Sequence, residues 1–479
     1  METEDKYVII LAILIQFIAC FLGSMITIAI KQIQFEFSLS YIEVNLLSIV
    51  YYIVMISISL PLSKIISKYG IKKFLKFNMI LLILGLVMAG LSVNGLMLIF
   101  SRIIQGVCFA GLAVSVYVIV VKQIPEDNLG NVLGLVGSAG YIGMTSAPSI
   151  SGLIITFLDW RYIFYFITII CIITLWMTTK IKTEWINEEV TINHTESILY
   201  MVSMILFIAG CFNLNNIMGI LTLILSIILF SIFIKFERKN KNPIINLNLF
   251  KNIEFDIGNY AAFSTHYITY VLGHILTLHL LFVANIGEFL VGNIMLIPPI
   301  IMIIISPISG KLTNRFDTRF LSANATTLLL IVLIILIFIR VLPFELIILA
   351  MMLQGLGQGL FSPPNNKNVL TLVDENDDLT NASALLSTSK DLGKTISIGT
   401  YNVICAIIGL NFNEVSQVAG KLIEVNEITI FIAMFIAISS ITLLLYSKYK
   451  FNEPIIDSLK FLKGIPKKLK KQLYDFHKE

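Results

Sequence analysis

Three cations and one carboxylate stand inside strongly apolar runs of this chain: Arg102, Lys390, Lys394 and Asp391. An ionisable group at membrane depth costs several kcal/mol by the usual scales, so each is a candidate for function. Arg102 lies in SRIIQG, with Gln105 and Gly106 one turn further along the same helical face. It either serves the activity or caps backbone carbonyls of a neighbouring helix. Ser383, Ser387, Lys390, Lys394 and Ser397 recur at spacings of four, three, four and three, which is one stripe of a helix. Asp391 lies one turn before Lys394 and can pair with it. Roughly one positive charge is then left over, about 15 Å along the helix at 1.5 Å per residue. An interior richer in cations than anions suits an anionic or neutral amphipathic guest better than a lipophilic cation. The competing reading is a buried structural ion pair with the second lysine snorkelling outward.

Further stripes can line a cavity. Tyr267, Tyr270, His274 and Thr277 share one face, as do Gln16, Cys20, Gly23 and Thr27, and Gln354 and Gln358 form a third pair. His274 is the best titratable candidate for proton coupling near neutral pH. A lone membrane histidine can equally be hydrogen-bonded packing. His266 and His279 do not share its face and receive no role. No catalytic residue or metal site is expected, because the chain has no paired-carboxylate motif, H-E-x-x-H, nucleophile elbow or Walker loop. VDENDD, from Val373 to Asp378, reads as a solvated turn. The five cysteines lie in apolar segments without paired spacing and read as small hydrophobes.

These side chains need a membrane scaffold to hold them. Of 479 residues, 57% are hydrophobic and 13% charged, whereas a soluble protein has about a quarter charged. A net charge of +4 gives no reason to invoke nucleic acid. Membrane-length apolar runs fall near 8–30, 43–62, 76–94, 96–121, 130–156, 162–179, 197–213, 216–235, 259–283, 288–308, 320–341, 344–364, 380–408 and 428–447. The expected fold is therefore all-α and integral to the membrane, with fourteen spans and both termini on one side. Of the 34 lysines and arginines, 27 fall in one set of loops and tails and four in the other. By the positive-inside rule both termini are cytoplasmic in a multi-pass protein of the cell membrane. The stretch from Ser447 to Glu479 is basic and amphipathic, suited to the anionic leaflet, with a solvated tail as the alternative.

Gly130 to Phe164, GNVLGLVGSAGYIGMTSAPSISGLIITFLDWRYIF, is the most distinctive segment. Its glycines at three- and four-residue spacing let another helix come close, and Pro148 can bend the rod. It is either a moving helix or the packing centre of a static bundle. PLSKIISKYGIKK after the second span and PISGKLTNRFDTRF after the tenth repeat a theme of proline, small-residue turn and basic cluster. Such a repeat points to two related halves.

The order of these motifs resembles the major facilitator superfamily, and within it the fourteen-span drug:proton antiporter-2 branch. Gly143, Pro148 and Gly152 match its span-five motif, with Ala147 and Ser151 in place of two usual glycines. Trp160, Arg161 and Phe164 match its W-R-x-x-F, and Arg102, Gln105 and Gly106 its R-x-x-Q-G. PIINLNLFKN (243–252), QGLGQGLFSPP and ASALLSTSKDLG also fall where that branch has related elements. The resemblance implies two six-helix pseudo-symmetric bundles, at 1–182 and 242–447, with two extra helices at 183–241 and a tail at 448–479. It implies a proton-coupled exporter of small molecules, with Arg102 relaying protons or holding a gate. Gly70 and Gly310 would stand in the two conformational loop motifs. The partners implied are a small-molecule substrate, protons and membrane lipids. No cofactor beyond the proton gradient and no obligate protein partner are implied.

The departures are specific. The acid of the first loop motif is Ser67, and Asn314 and Asp317 alter the second copy, so the latch that acid makes is weakened or rebuilt. Leu22 to Lys31, LGSMITIAIK, has no carboxylate where many members carry one in span one, which excludes coupling through that residue. Three functional readings follow. They are an exporter of drug-like molecules or of an endogenous anionic or lipid-like metabolite, a transporter-like sensor, and a polytopic membrane enzyme.

Overall fold

The computed structural model describes residues 3–39, 41–181, 184, 190, 192–214, 217–240, 243–373, 379–410 and 415–450. These fold into α1 (Thr3–Ser24), α2 (Ile26–Phe37), α3 (Tyr41–Tyr69), α4 (Ile71–Gly90), α5 (Gly95–Gln123), α6 (Glu126–Phe157), α7 (Arg161–Thr178) and α8 (His194–Phe212). They continue as α9 (Ile217–Glu237), α10 (Ile253–Leu278), α11 (Glu288–Ile294), α12 (Ile297–Leu312), α13 (Thr318–Leu336), α14 (Phe344–Thr371), α15 (Leu379–Ile408) and α16 (Val415–Lys450). No strand occurs among the described residues. The acidic loop at 374–378 and the tail from 451 onward lie outside them, as does the Thr27 side chain.

Twelve candidate spans among the described residues are long and apolar enough to cross a membrane. The expected count of fourteen differs by α6, of 32 residues, and α15, of 30, which have the length but not the apolarity. Glycine and serine lower the hydropathy of α6. Lysine, aspartate and hydroxyl residues lower that of α15. Residues 379–400 of α15 are all buried or half-buried, so other helices cover its polarity. By contrast, α9 turns most of its apolar side chains outward and has the surface of a lipid-facing helix.

Several boundaries move for identifiable reasons. The first expected span is broken at Met25 into α1 and α2. The tenth is broken before α12, whose first turn carries Pro298 and Pro299, a position where the missing N–H costs little. The twelfth runs on to Thr371 through Pro363 and Pro364, and the fourteenth begins at Val415. Side-chain caps start α5 and α13: Asn94 accepts from Met97 N at 2.9 Å, and Asp317 from Arg319 N at 2.8 Å.

α1 and α3–α7 pack together, as do α10 and α12–α16, while the α8–α9 pair rests on α3 and α15. Matching close contacts recur in the two groups. Gly143 of α6 seats against the Phe17 carbonyl of α1, and Gly393 of α15 against the Phe263 carbonyl of α10. Gly106 of α5 meets the Tyr51 carbonyl of α3, and Gly355 of α14 the Pro298 carbonyl of α12. A methyl at any of these points would strike backbone, which is why glycine is needed there.

The groups meet where α6 crosses α12 and where α15 crosses α3 and α5. Gly130 and Gly134 face Gly310 and Ser306, and Ser138 Oγ donates to the Ile303 carbonyl at 2.8 Å. Asn314 Nδ2 donates to the Asp127 carbonyl at 2.6 Å, so an amide joins the groups where the resemblance led one to look for an acid. Asp317 pairs with Arg319, whose other arm reaches Glu254 of α10 at 2.5 Å. Ser59 Oγ lies 2.8 Å from Thr388 Oγ1, and Ser383 Oγ donates to the Val114 carbonyl at 3.0 Å. All these joints lie toward the lysine-rich loop end. At the opposite end of α6, a Cβ on Gly152 would meet nothing within 4 Å among the described residues. Gly70, with φ of 88°, turns the chain between α3 and α4 in a region that favours glycine.

Candidate functional site

A cavity of about 160 Å³ lies between the two groups, walled by α1, α5 and α6 on one side and α10, α12, α14 and α15 on the other. Gln16, Cys20, Tyr270, Gln358, Lys390, Asp391 and Lys394 of the expected stripes line it. α15 carries the charges. Lys394 Nζ lies 2.8 Å from Asp391 Oδ1, and its ammonium sits 5.3 Å from the centre of the Tyr270 ring. Lys390 reaches the other way. Its Nζ donates to Asn366 Oδ1 at 2.7 Å and Tyr117 OH at 3.5 Å, with the Tyr117 ring centre 4.7 Å away. Lys390 therefore has neutral partners, while Asp391 is engaged by Lys394. Among the described residues, Asp391 is the one acid in a lining that holds two lysines. Tyr117, Tyr141, Tyr270 and Phe109 supply aromatic wall, and Gln16 and Gln358 supply amides.

Other expected site residues lie elsewhere. Arg102 is fully buried away from the cavity. Its Nη1 donates to Gln105 Oε1 at 2.8 Å and to the Leu22 carbonyl at 3.3 Å, and its guanidinium stacks 4.4 Å over the Tyr51 ring. Nε and Nη2 have no hydrogen-bond partner among the described residues. Arg102 thus fastens α5 to α3 and to the last turn of α1, just before the break at Met25. Gly106 supplies the close α5–α3 contact beside it. His274 stacks edge-on against Tyr401, 4.7 Å between ring centres, and Tyr401 OH donates to Asn426 at 2.9 Å. This is a packing position between α10, α15 and α16. Tyr267 is buried on the same face, and Gln354 Nε2 reaches behind the wall to the Thr269 carbonyl at 3.1 Å. Pro148 lies within unbroken α6, and Gly310 lies at the α6–α12 crossing.

Sequence reasoning missed four lining or supporting residues. His266, given no role, faces the cavity, and its Nδ1 lies 2.9 Å from the Ala262 carbonyl. A carbonyl only accepts, so Nδ1 donates in this contact. Tyr117 and Tyr141 were also overlooked, although Gln105, Phe109, Ala113 and Tyr117 follow a four-residue repeat that marks one face. Asn366 lies beyond the expected twelfth span, 344–364, on the part of α14 that continues past its two prolines.

A polar, partly charged cavity shared between two helix groups that join at one end can hold a small molecule and exchange its exposure between the two sides of a membrane. Outside the spans, Glu36 of α2 accepts from Trp160 Nε1 at 2.7 Å and pairs with Arg161 at 2.6 Å. Arg161, with help from the indole N–H, holds its carboxyl below the usual carboxylate range despite partial burial.

The sequence model of the Major Facilitator Superfamily matches residues 12–397 and 259–454. The riboflavin transporter RibZ of Clostridioides difficile (strain 630) is 26% identical over 380 residues, 77% of this chain and 81% of RibZ. The multidrug resistance protein Stp of Mycobacterium tuberculosis (strain CDC 1551 / Oshkosh) is 23% identical over 348 residues, 71% of this chain and 64% of Stp. The crystal structure of the human organic anion transporter MFSD10 (TETRAN) superposes with a TM-score of 0.67 at 10% identity, over 93% of this chain and all of that one.

Proposed function

The chain belongs to the major facilitator superfamily and is a secondary transporter, not an enzyme, and from that premise we propose that it exports amphipathic or drug-like small molecules by proton-coupled alternating access. The cavity between the two groups carries this reading. It takes side chains from both halves, and among the described residues the hydrogen-bonded and glycine-mediated joints of the halves named above lie toward one end. We place that closed end at the cytoplasm, because the lysine-rich loops lie there, with both termini on the same side in the cell membrane. The arrangement is then the outward-facing half of a rocking cycle. α6 and α15 complete a count of fourteen spans, and residues 1–182 and 242–447 act as the two moving bundles, with α8 and α9 between them. This matches the drug:proton antiporter-2 order of motifs.

Within that cycle the α6–α12 crossing is the seal that must part when the cavity opens inward. Gly143, Pro148 and Gly152 belong to the helix that moves, and Gly70 to the joint at the same end. Arg102, with Gln105 and Gly106, ties α1, α3 and α5 into one rigid body. Asp391, held at the cavity wall by Lys394, is the carboxylate we assign to proton coupling. His274, set against Tyr401, senses a shift of α10 over α15 instead of touching substrate. Gln16, Tyr270, Gln358, Lys390 and Lys394 contact substrate directly; Tyr267 and Gln354 support that wall. The named riboflavin transporter and multidrug protein favour a planar or amphipathic guest, and an endogenous anionic metabolite is the second reading, favoured by the surplus cation. Purified protein in proteoliposomes with an imposed pH gradient tests the proposal. Gradient-dependent flux of an amphipathic dye is expected. Equal flux with and without the gradient, or none, sinks proton-coupled export.

A further inference from the structure

We propose that the cavity is an anion site for planar aromatic molecules, with Lys390 as the group that binds the negative charge. This rests on the transporter reading for its biological meaning, but the binding chemistry stands on its own geometry. Lys390 is 8% exposed, so its ammonium has lost nearly all its water. The replacements are an amide oxygen at 2.7 Å, a phenol at 3.5 Å and a ring face. A buried ammonium normally meets a carboxylate, since amide and ring contacts return only part of its hydration. Among the described residues Lys390 has no ion pair, because Asp391 points to Lys394 at 2.8 Å. The cluster is thus a cancelled pair beside one uncancelled cation, all within two turns of α15. An anion entering the cavity supplies the missing partner without displacing any existing ion pair.

The wall shapes the rest of the guest. Phe109 and Tyr117 come from α5, Tyr141 from α6 and Tyr270 from α10, so aromatic rings of three helices surround the space instead of lining one strip. Aromatic faces of that kind accept a flat ring in offset or edge contact. Gln16 and Gln358 add amide donors and acceptors for polar ring substituents. A lipophilic cation would have to enter against Lys390 and Lys394 with Asp391 already taken, so its charge meets repulsion. The guest class is therefore an aromatic carboxylate, phosphate or ionised heteroaromatic ring.

Carboxyfluorescein and rhodamine 6G share a xanthene ring and differ in charge sign, which isolates the electrostatic term. The full-length protein in phosphatidylcholine nanodiscs is titrated with each dye by fluorescence anisotropy, with the thermal melt of every variant recorded first. Carboxyfluorescein should bind at least tenfold more tightly than rhodamine 6G. Lys390→Gln should weaken it about tenfold while leaving rhodamine 6G unchanged or improved, and Lys390→Arg should restore binding to within about threefold of the natural chain. Rhodamine 6G binding equal to or tighter than carboxyfluorescein overturns the proposal. So does absence of saturable carboxyfluorescein binding, or unchanged affinity in a folded Lys390→Gln protein. If Lys390→Gln does not fold, the dye comparison on the natural chain and the Lys390→Arg variant decide the matter. No gradient enters this assay. Loss of flux in proteoliposomes would remove proton-coupled export and leave the anion site, and gradient-driven flux of rhodamine 6G alone would do the reverse.

Discussion

Gly134→Ala should force α6 away from α12 and open the sealed end of the molecule. The new Cβ would lie 2.6 Å from the Ser306 carbonyl oxygen, 3.0 Å from Pro307 Cα and 3.3 Å from Gly310 Cα. All three are backbone atoms, so no side chain can swing aside. Ordinary contact begins near 3.4 Å, so the helices must separate by roughly 0.8 Å at this level. That retreat stretches two cross-helix bonds, from Ser306 Oγ to the Gly134 carbonyl at 3.0 Å and from Ser138 Oγ to the Ile303 carbonyl at 2.8 Å. Both would then exceed about 3.5 Å, beyond useful hydrogen-bond length. Overpacking costs about 1–3 kcal/mol, and two interhelical bonds in a membrane protein add about 0.6 kcal/mol each. The closed end therefore loses about 2–4 kcal/mol, a shift of roughly thirty- to several-hundred-fold in the open-to-closed ratio.

Gly152→Ala is the internal control, because a Cβ there would meet nothing within 4 Å among the described residues although the glycine belongs to the same helix. Its effect should stay within about 0.5 kcal/mol. Spin labels at Asp127 and Arg315 report the separation of the two helix ends by pulsed distance measurement. Gly134→Ala should convert the short-distance population to a longer one, and Gly152→Ala should not. An unchanged distance distribution in Gly134→Ala, or an equal change in both variants, would refute the packing argument.

Arg319→Ala should destabilise the protein by about 1–3 kcal/mol, because Glu254, 15% exposed, loses its 2.5 Å partner. Arg319→Lys should recover only part of this, since an ammonium cannot span Glu254 and Asp317 as a fork does, and thermal melts in detergent will show it. Asp391→Asn should tighten carboxyfluorescein binding by roughly tenfold, opposite in sign to Lys390→Gln, by removing a carboxylate from the cavity lining; weaker binding in a folded Asp391→Asn protein would contradict the charge count. Glu36 has its folded carboxyl value lowered by Arg161 and Trp160, so its contribution is complete above the ordinary value of 4.5 and fades as pH falls through the lowered one. At 39% side-chain exposure the pair is screened and contributes under about 1 kcal/mol. In a chain whose other tryptophans are phenylalanine, Trp160 emission should change below about pH 4.5 in the Glu36 protein and stay flat in Glu36→Gln.

The sequence exposed the helices and the charged stripe because both depend on local spacing. Lys390, Asp391 and Lys394 can be placed on α15 by counting turns, and α6 by its glycines. Asn366, the partner of Lys390, depends on where α14 ends in space, and two prolines made the chain look finished too early. His266 shows a subtler limit. The stripe of Tyr267, Tyr270 and His274 is real, but periodicity cannot say whether a stripe faces a cavity or a neighbouring helix. On α10 most of that face is taken, and only Tyr270 of it reaches the cavity: Gly393 of α15 seats against the Phe263 carbonyl and the Tyr267 nitrogen, and Tyr401 packs on His274. The repeated halves contained the missing information. Gly143 seats against Phe17 just as Gly393 seats against Phe263, so Phe17 and Phe263 are equivalent positions. Cys20 and His266 each follow three residues later, and both line the cavity. Glycine marks the packing face of a membrane helix pair, and the turn beside it marks the face left for a guest. Read through that symmetry, His266 is the counterpart of Cys20, and α10 turns His266, Thr269 and Tyr270 to the cavity, so that only one edge of its polar stripe reaches the guest.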